Sequence, residues 1–167
     1  ATRSPTWRMC RYRRFRNRMD PCIRMIVINQ MKSLAVIVSR GSTNNFVQVL
    51  TLLMAAVHSE LKARVFFRDE TLFRLTPEGI TKLEFSGGFR AQEQEFVQRL
   101  KKHDLADLQK LLAQIKESGD VKLYVCSSSL ALSGLKREDL IPEIDEVRGL
   151  TAFLLEDIAA ADKVLTF

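Results

Sequence analysis

Short apolar runs of strand length alternate with helical patterns along most of the chain, and this alternation limits the fold more than any other feature. The runs are residues 34–39, 63–67 and 121–126, followed by the weaker 144–147 and 163–167. A helical pattern over residues 46–59 separates the first two runs, which predicts a right-handed strand–helix–strand unit with parallel strands. The sequence therefore predicts the α/β class, as a three-layer α/β/α domain with a parallel sheet of about five strands.

The pattern weakens over residues 71–103. Pro77 and a pair of adjacent glycines interrupt it, and we expect an insertion or lid at about 71–103, at the top of the sheet. After this segment, apolar residues recur at a spacing of three to four over residues 105–115. This spacing predicts a helix with Asp104 as its N-cap.

The positive charge of the chain is concentrated at its beginning. Residues 1–30 contain eight arginines and one acid, whereas residues 31–167 contain 18 basic and 19 acidic residues and are close to neutral. We interpret residues 1–30 as a basic extension, disordered or outside the natural domain, because so charged a segment buries little apolar area. The alternatives are an arm that binds nucleic acid or an anionic surface, or a transit peptide. For the domain at 31–167 we expect no nucleic-acid partner.

Cysteine and histidine usage argues against a disulfide framework and against a metal site. The chain has three widely spaced cysteines, no Cys-x-x-Cys pair and two histidines. We therefore expect no metal, no cofactor and a reducing, cytoplasmic location. No apolar stretch is long enough to cross a bilayer, so no membrane span is expected.

Cys126 stands at the end of the run 121–126, directly before three serines. If this run is a parallel strand, the thiol lies at the carboxyl end, where α/β folds place their chemistry. The backbone N–H groups of Ser127 and Ser128 and the start of a helix would then favour a thiolate. Arg40, in the turn after the first strand, would assist only if its loop lies beside Cys126. The alternative is that Cys126 is a small core residue.

Several stretches resemble one family. They are residues 34–41 (LAVIVSRG), 65–67 (VFF), 124–140 (YVCSSSLALSGLKREDL), 149–153 and 160–167. From Met31 onward the chain resembles the DsrE/DsrF-like family of small sulfur-relay proteins, and residues 71–103 resemble its larger members. The resemblance implies a parallel α/β/α domain, oligomers that are often trimers or hexamers, and a sulfur-accepting cysteine that maps to Cys126. It also implies a carrier protein of the TusA type as the partner.

Three hypotheses follow for the function. In the first, Cys126 accepts sulfane sulfur or a thiosulfonate group and passes it to the carrier, as a sulfurtransferase acting through a cysteine persulfide. In the second, the protein is a non-catalytic oligomeric module that binds a ligand or partner. The third, a thiol peroxidase, ranks last because residues 31–167 contain no second cysteine that could resolve a sulfenic acid.

Overall fold

Five short parallel strands form the centre of the molecule. The computed structural model describes residues 31–167. The strands are β1 (Ser33–Val38), β2 (Lys62–Phe67), β3 (Val121–Cys126), β4 (Glu146–Arg148) and β5 (Lys163–Thr166). They lie in the order β4-β3-β2-β1-β5, and every neighbouring pair is parallel. The predicted α/β/α fold with a five-stranded parallel sheet is confirmed.

Seven α-helices connect these strands within the described residues. They are α1 (Thr43–His58), α2 (Thr71–Arg74), α3 (Pro77–Thr81), α4 (Glu93–Lys102), α5 (Leu108–Ser118), α6 (Ser127–Ser133) and α7 (Leu150–Ala152). A π-helix, Phe153–Ile158, follows α7 directly, and 3₁₀ turns lie at Gly87–Gln92 and Arg137–Asp139. None of the helices in residues 31–167 has the length and apolar character needed to span a membrane.

The two faces of the sheet are covered very unequally. One face carries the main core, to which α1, α2, α3, α5 and α6 contribute buried side chains. The other face carries a small cluster built from Ala35, Phe66, Tyr124, Cys126 and Phe153. Side chains of a strand alternate between the two faces, so Tyr124 and Cys126 of β3 share the lightly covered one.

The first part of segment 71–103 belongs to the main core. Leu72, Leu75 and Ile80 are fully buried there. The guanidinium of Arg74 is also buried, and it donates hydrogen bonds to the carbonyls of Gly41, Gly79 and Lys82. Burial lowers the pKa of Arg74 from its ordinary value, against the opposing effect of the nearby Glu84 carboxylate. A lid role for the rest of the segment stays a prediction, and the predicted extension at 1–30 lies outside the described residues.

The prediction of Asp104 as a helix N-cap is wrong. Asp104 has a left-handed backbone, with φ of 56°, in the turn that follows α4. The cap of α5 is Asp107, whose side chain accepts a hydrogen bond from the backbone N–H of Lys110 at 3.0 Å. Both residues are aspartates with the right chemistry for a cap, and the turn at residues 103–104 delays the helix start by about one turn.

Candidate functional site

Cys126 is the last residue of β3 and the residue immediately before α6. This position follows from the sequence, because an apolar strand ends there and three serines begin the next helix. Cys126 forms no disulfide bond within residues 31–167, and it is 4% exposed. The thiol therefore lies at the carboxyl end of its strand, but other side chains cover it.

Aromatic rings surround this position on the lightly covered face. Phe153, from the π-helix, stacks on Phe66 of β2 with ring centroids 4.6 Å apart. The same ring meets Tyr124 of β3 edge-on at 6.0 Å. Cys126 packs in the same cluster as these three rings. Rings at such distances attract each other, and this adds to the free energy gained by burying them. We call these three rings the aromatic wall of the site.

Arg148 brings a positive charge next to this wall. It lies on β4 in register with Cys126 of β3, and its guanidinium carbon is 4.7 Å from the centre of the Tyr124 ring. The same guanidinium binds the carboxylates of Glu156 and Asp157 in the π-helix, and Glu146 lies 3.9 Å away. Arg148 thus connects the Tyr124 ring of β3 to the segment that follows β4.

Burial perturbs two acidic groups of this cluster. The side chain of Asp157 is 10% exposed, and its burial raises the pKa of the carboxyl group, although the charge of Arg148 acts in the opposite direction. Burial also raises the pKa of the Tyr124 hydroxyl, and the negative charge of Asp157 adds to that shift. Ionised Asp157 therefore depends on Arg148 as its partner.

Sequence reasoning did not find Arg148 and Asp157. The available signal was weak: an arginine directly after the predicted strand 144–147, nine residues before an aspartate. The contact with Tyr124 depends on the register of β4 against β3, which local sequence does not specify.

The serines after Cys126 occupy the first turn of α6. Ser127 and Ser128 have exposed side chains, whereas Ser129 is buried. The Ser129 hydroxyl donates to Oδ1 of Asp69 at 3.2 Å. Asp69, two residues after the end of β2, has a left-handed backbone with φ of 54°. This hydrogen bond connects the first turn of α6 to the residues that follow β2.

Arg40 lies in a different part of the carboxyl edge. It is exposed and lines a cavity of about 1230 Å³ together with Ser42, Phe73, Arg74 and other residues of the α1–α3 side. Cys126, Ser127 and Ser128 do not line that cavity. Cys126 and the two serines follow one another at the end of β3, whereas Arg40 follows β1, which β2 separates from β3. Within residues 31–167 no group of three or more His, Cys, Asp or Glu side chains could hold a metal ion.

The fold and the site define a class of protein. It is an α/β protein whose parallel sheet is covered on both faces and which has a free thiol where an inner strand is followed by a helix. Residues 32–167 match the model of the DsrE/DsrF-like family, and the chain belongs to that family. Proteins of this family take part in sulfur relay with carrier proteins. No curated protein matches the chain significantly.

A solved structure supports the fold. It is titled "Structure of Protein of Unknown Function MTH1491 from Methanobacterium thermoautotrophicum", and it matches with a TM-score of 0.53 and 14% sequence identity. The match covers 80% of this chain and 98% of that one. At this identity the similarity concerns the fold alone.

Proposed function

We propose that the protein is a sulfur-transfer component of a relay. It accepts sulfane sulfur or a thiosulfonate group on Cys126 and passes it to a carrier protein of the TusA type. The observation that carries this proposal is the position of Cys126, the cysteine of the family domain, at the carboxyl end of an inner strand. In parallel α/β sheets this edge is where ligands and reacting groups are placed.

The proposed step conserves atoms and charge. With thiosulfate as donor, the Cys126 thiolate attacks the outer sulfur and forms a new S–S bond. The S–S bond of the donor breaks, and its electron pair leaves with sulfite. The product is a cysteine persulfide anion, whose terminal sulfur a thiolate of the carrier can attack, so that Cys126 leaves as a thiolate.

We assign support of the anionic sulfur first to the backbone N–H groups of Ser127 and Ser128. The first N–H groups of a helix have no partner within the helix, and both serines lie at the solvent-exposed start of α6. Arg40 takes second place, because it follows β1, which β2 separates from the cysteine strand.

The proposal includes a homo-oligomer, a trimer or hexamer by family resemblance, in a cytoplasmic compartment that keeps the thiol reduced. Exposed leucines support a subunit or carrier interface near the site. Leu150, Leu154 and Leu155 lie in or beside the π-helix, and each is at least two-fifths exposed. Neighbouring exposed apolar side chains commonly mark an interaction surface.

A specific observation favours the second candidate, a non-catalytic binding module. Cys126 is nearly buried, and the cavity beside Arg40 does not include it. In that case the cysteine only packs, and the cavity holds a small ligand or part of a partner.

Intact-mass measurement separates the two. The full chain carrying Cys10→Ser and Cys22→Ser is incubated with thiosulfate, tetrathionate or polysulfide. We expect added sulfur on this protein and none after the further change Cys126→Ser, whose folding is checked by circular dichroism. An unmodified thiol with all three donors would favour the binding module. Fast, saturable formation of sulfenic acid by peroxide would favour a peroxidase instead.

A further inference from the structure

The thiol of Cys126 lies under one short segment of the chain, residues 150–161, which we call the cover. We propose that Arg148 is a positioning residue that holds the cover closed, and that the cover must lift before Cys126 can exchange sulfur. The importance of this motion for transfer rests on the proposed function. The closure itself can be tested without any sulfur chemistry.

The burial pattern shows what closes the site. The cluster around Cys126 consists of sheet residues and of three residues from outside the sheet: Phe153, Ile158 and Ala161. All three belong to the cover, and Phe153 is completely buried. A sulfur donor or a carrier thiol needs a direct approach to the sulfur atom. With the cover in place, Cys126 is 4% exposed, which leaves no such approach from this face.

Few buried apolar side chains hold the cover against the sheet. It consists of α7, with three residues, and a six-residue π-helix. A π-helix is rare and occurs frequently at functional sites. Its large side chains Leu154 and Leu155 point into solvent, with 50% and 68% exposure. A segment with so few buried apolar contacts opens at a lower free energy than the main core.

Two polar attachments hold the cover: Ser33 Oγ donates to the Ala160 carbonyl at 3.2 Å near its end, and Arg148 holds its middle. Its guanidinium binds Glu156 and Asp157 on the cover, while the ring of Tyr124 lies against it on the sheet side. The side chains of Arg148 and Asp157 are 16% and 10% exposed, so this ion pair is largely shielded from water. Removing the guanidinium leaves the Asp157 carboxylate without its partner in a buried position. That loss disfavours the closed state specifically.

The geometry also couples the attachment to the reacting residue. Arg148 and Cys126 are register partners on adjacent strands, so the arginine is anchored beside the thiol. A partner that binds the exposed leucines, or that offers its own cation to Glu156, can compete for the attachment and expose the sulfur. Such a device would keep a bound persulfide away from solvent thiols until the partner arrives.

The test measures how fast Cys126 reacts with iodoacetamide. The full chain carries Cys10→Ser and Cys22→Ser, so that Cys126 is the single thiol. We expect Arg148→Gln to increase the alkylation rate about tenfold or more, because a tenfold change corresponds to the loss of one moderate interaction. Asp157→Asn should give a smaller increase. Arg148→Lys, which keeps the charge and loses the two-pronged binding, should lie between wild type and Arg148→Gln.

A matched control separates local opening from general destabilisation. Asp107→Ala removes the cap of α5, a helix of the main core on the other face of the sheet, and it should leave the alkylation rate within about twofold. Low urea should change the rate in the Arg148→Gln protein only slightly, because opening of the cover exposes little surface. Equal acceleration by Asp107→Ala, or a steep urea dependence, would overturn the proposal.

Sulfur loading distinguishes this inference from the proposed function. If Arg148→Gln speeds alkylation but no donor ever modifies Cys126, the cover stands and the relay function fails. If wild type takes up sulfur while Arg148→Gln leaves both alkylation and loading unchanged, the function stands and the cover fails. If both rates rise together in Arg148→Gln, both proposals are supported.

Discussion

One carboxylate attaches the residues before β4 to the rest of the domain, and its removal is the sharpest stability test. Oδ2 of Asp145 accepts hydrogen bonds from the Leu123 backbone N–H and from Nζ of Lys116, each at 2.8 Å. Oδ1 lies 3.3 Å from Nζ of Lys122. The backbone N–H of Asp145 donates in return to the Leu123 carbonyl at 2.9 Å. Asp145 therefore links β3, α5 and the start of β4.

The size of the effect follows from these contacts. Asp145→Ala leaves the N–H of Leu123, a fully buried residue, without its acceptor and leaves Lys116 without its ion pair. We expect a loss of about 2–4 kcal/mol in the free energy of unfolding. Asp145→Asn keeps an acceptor for the N–H but loses the charge, so its loss should be about 1–2 kcal/mol. Lys122→Ala, at the exposed partner, should cost about 0.5 kcal/mol or less.

The contribution of Asp145 should also depend on pH. Burial alone raises the pKa of Asp145, but the hydrogen bonds from Lys116 and the Leu123 N–H, with the nearby lysine charges, hold the pKa below its ordinary value. Folding thus favours the ionised form. The stabilisation is complete above the pKa of the unfolded chain and is lost as the pH falls through the lower pKa of the folded protein.

Urea unfolding followed by circular dichroism measures both effects. The difference in unfolding free energy between wild type and Asp145→Asn should be constant near neutral pH and should shrink as the pH falls below about 4. The reasoning is refuted if the difference grows toward acidic pH. It is also refuted if Asp145→Ala costs no more than Lys122→Ala.

Two further predictions concern α5 and the connection between α2 and α3. Asp107→Ala should destabilise the protein by about 1 kcal/mol, because it removes the α5 cap. Asp104→Gly should be neutral or slightly stabilising, because glycine adopts the left-handed backbone without strain. Equal losses of stability in thermal unfolding would contradict this assignment. Gly79→Ala should cost about 1–3 kcal/mol, since an added Cβ would lie 1.8 Å from the Phe73 carbonyl oxygen. Gly87→Ala meets nothing within 4 Å and serves as the control, and an equally low melting temperature would contradict the steric argument.

The sheet could be predicted from the sequence because its strands are short, apolar and separated by clear helical or turn signals. The first residues of the helices were harder to predict. The helix predicted from Phe46 begins at Thr43, because polar residues that suit a turn also suit the first turn of a helix. Asp104 and Asp107 are chemically equivalent cap candidates. The turn at residues 103–104 leaves the second as the cap, and the residue types alone do not distinguish the two.

The site could be predicted only in part. The strand period places Tyr124 and Cys126 on one face, and the strand end places the thiol at the carboxyl edge. The cover could not be foreseen, because the bond between Arg148 and Asp157 requires both the β3–β4 register and a π-helical turn. Arg40 and Cys126 follow strands that β2 separates, and local sequence does not specify this strand order.

The strand order has a consequence for how the molecule is made. β1 is among the earliest parts of the described domain and β5 is its last strand, yet they are neighbours: Leu34 pairs with Lys163, and the Phe167 backbone bonds to Ile37 and Ser39. During synthesis the apolar β1 has one open edge until residues 163–167 leave the ribosome. Closure of that pair should be a late, slow event, and a chain stalled shortly before Lys163 should be prone to aggregate through β1.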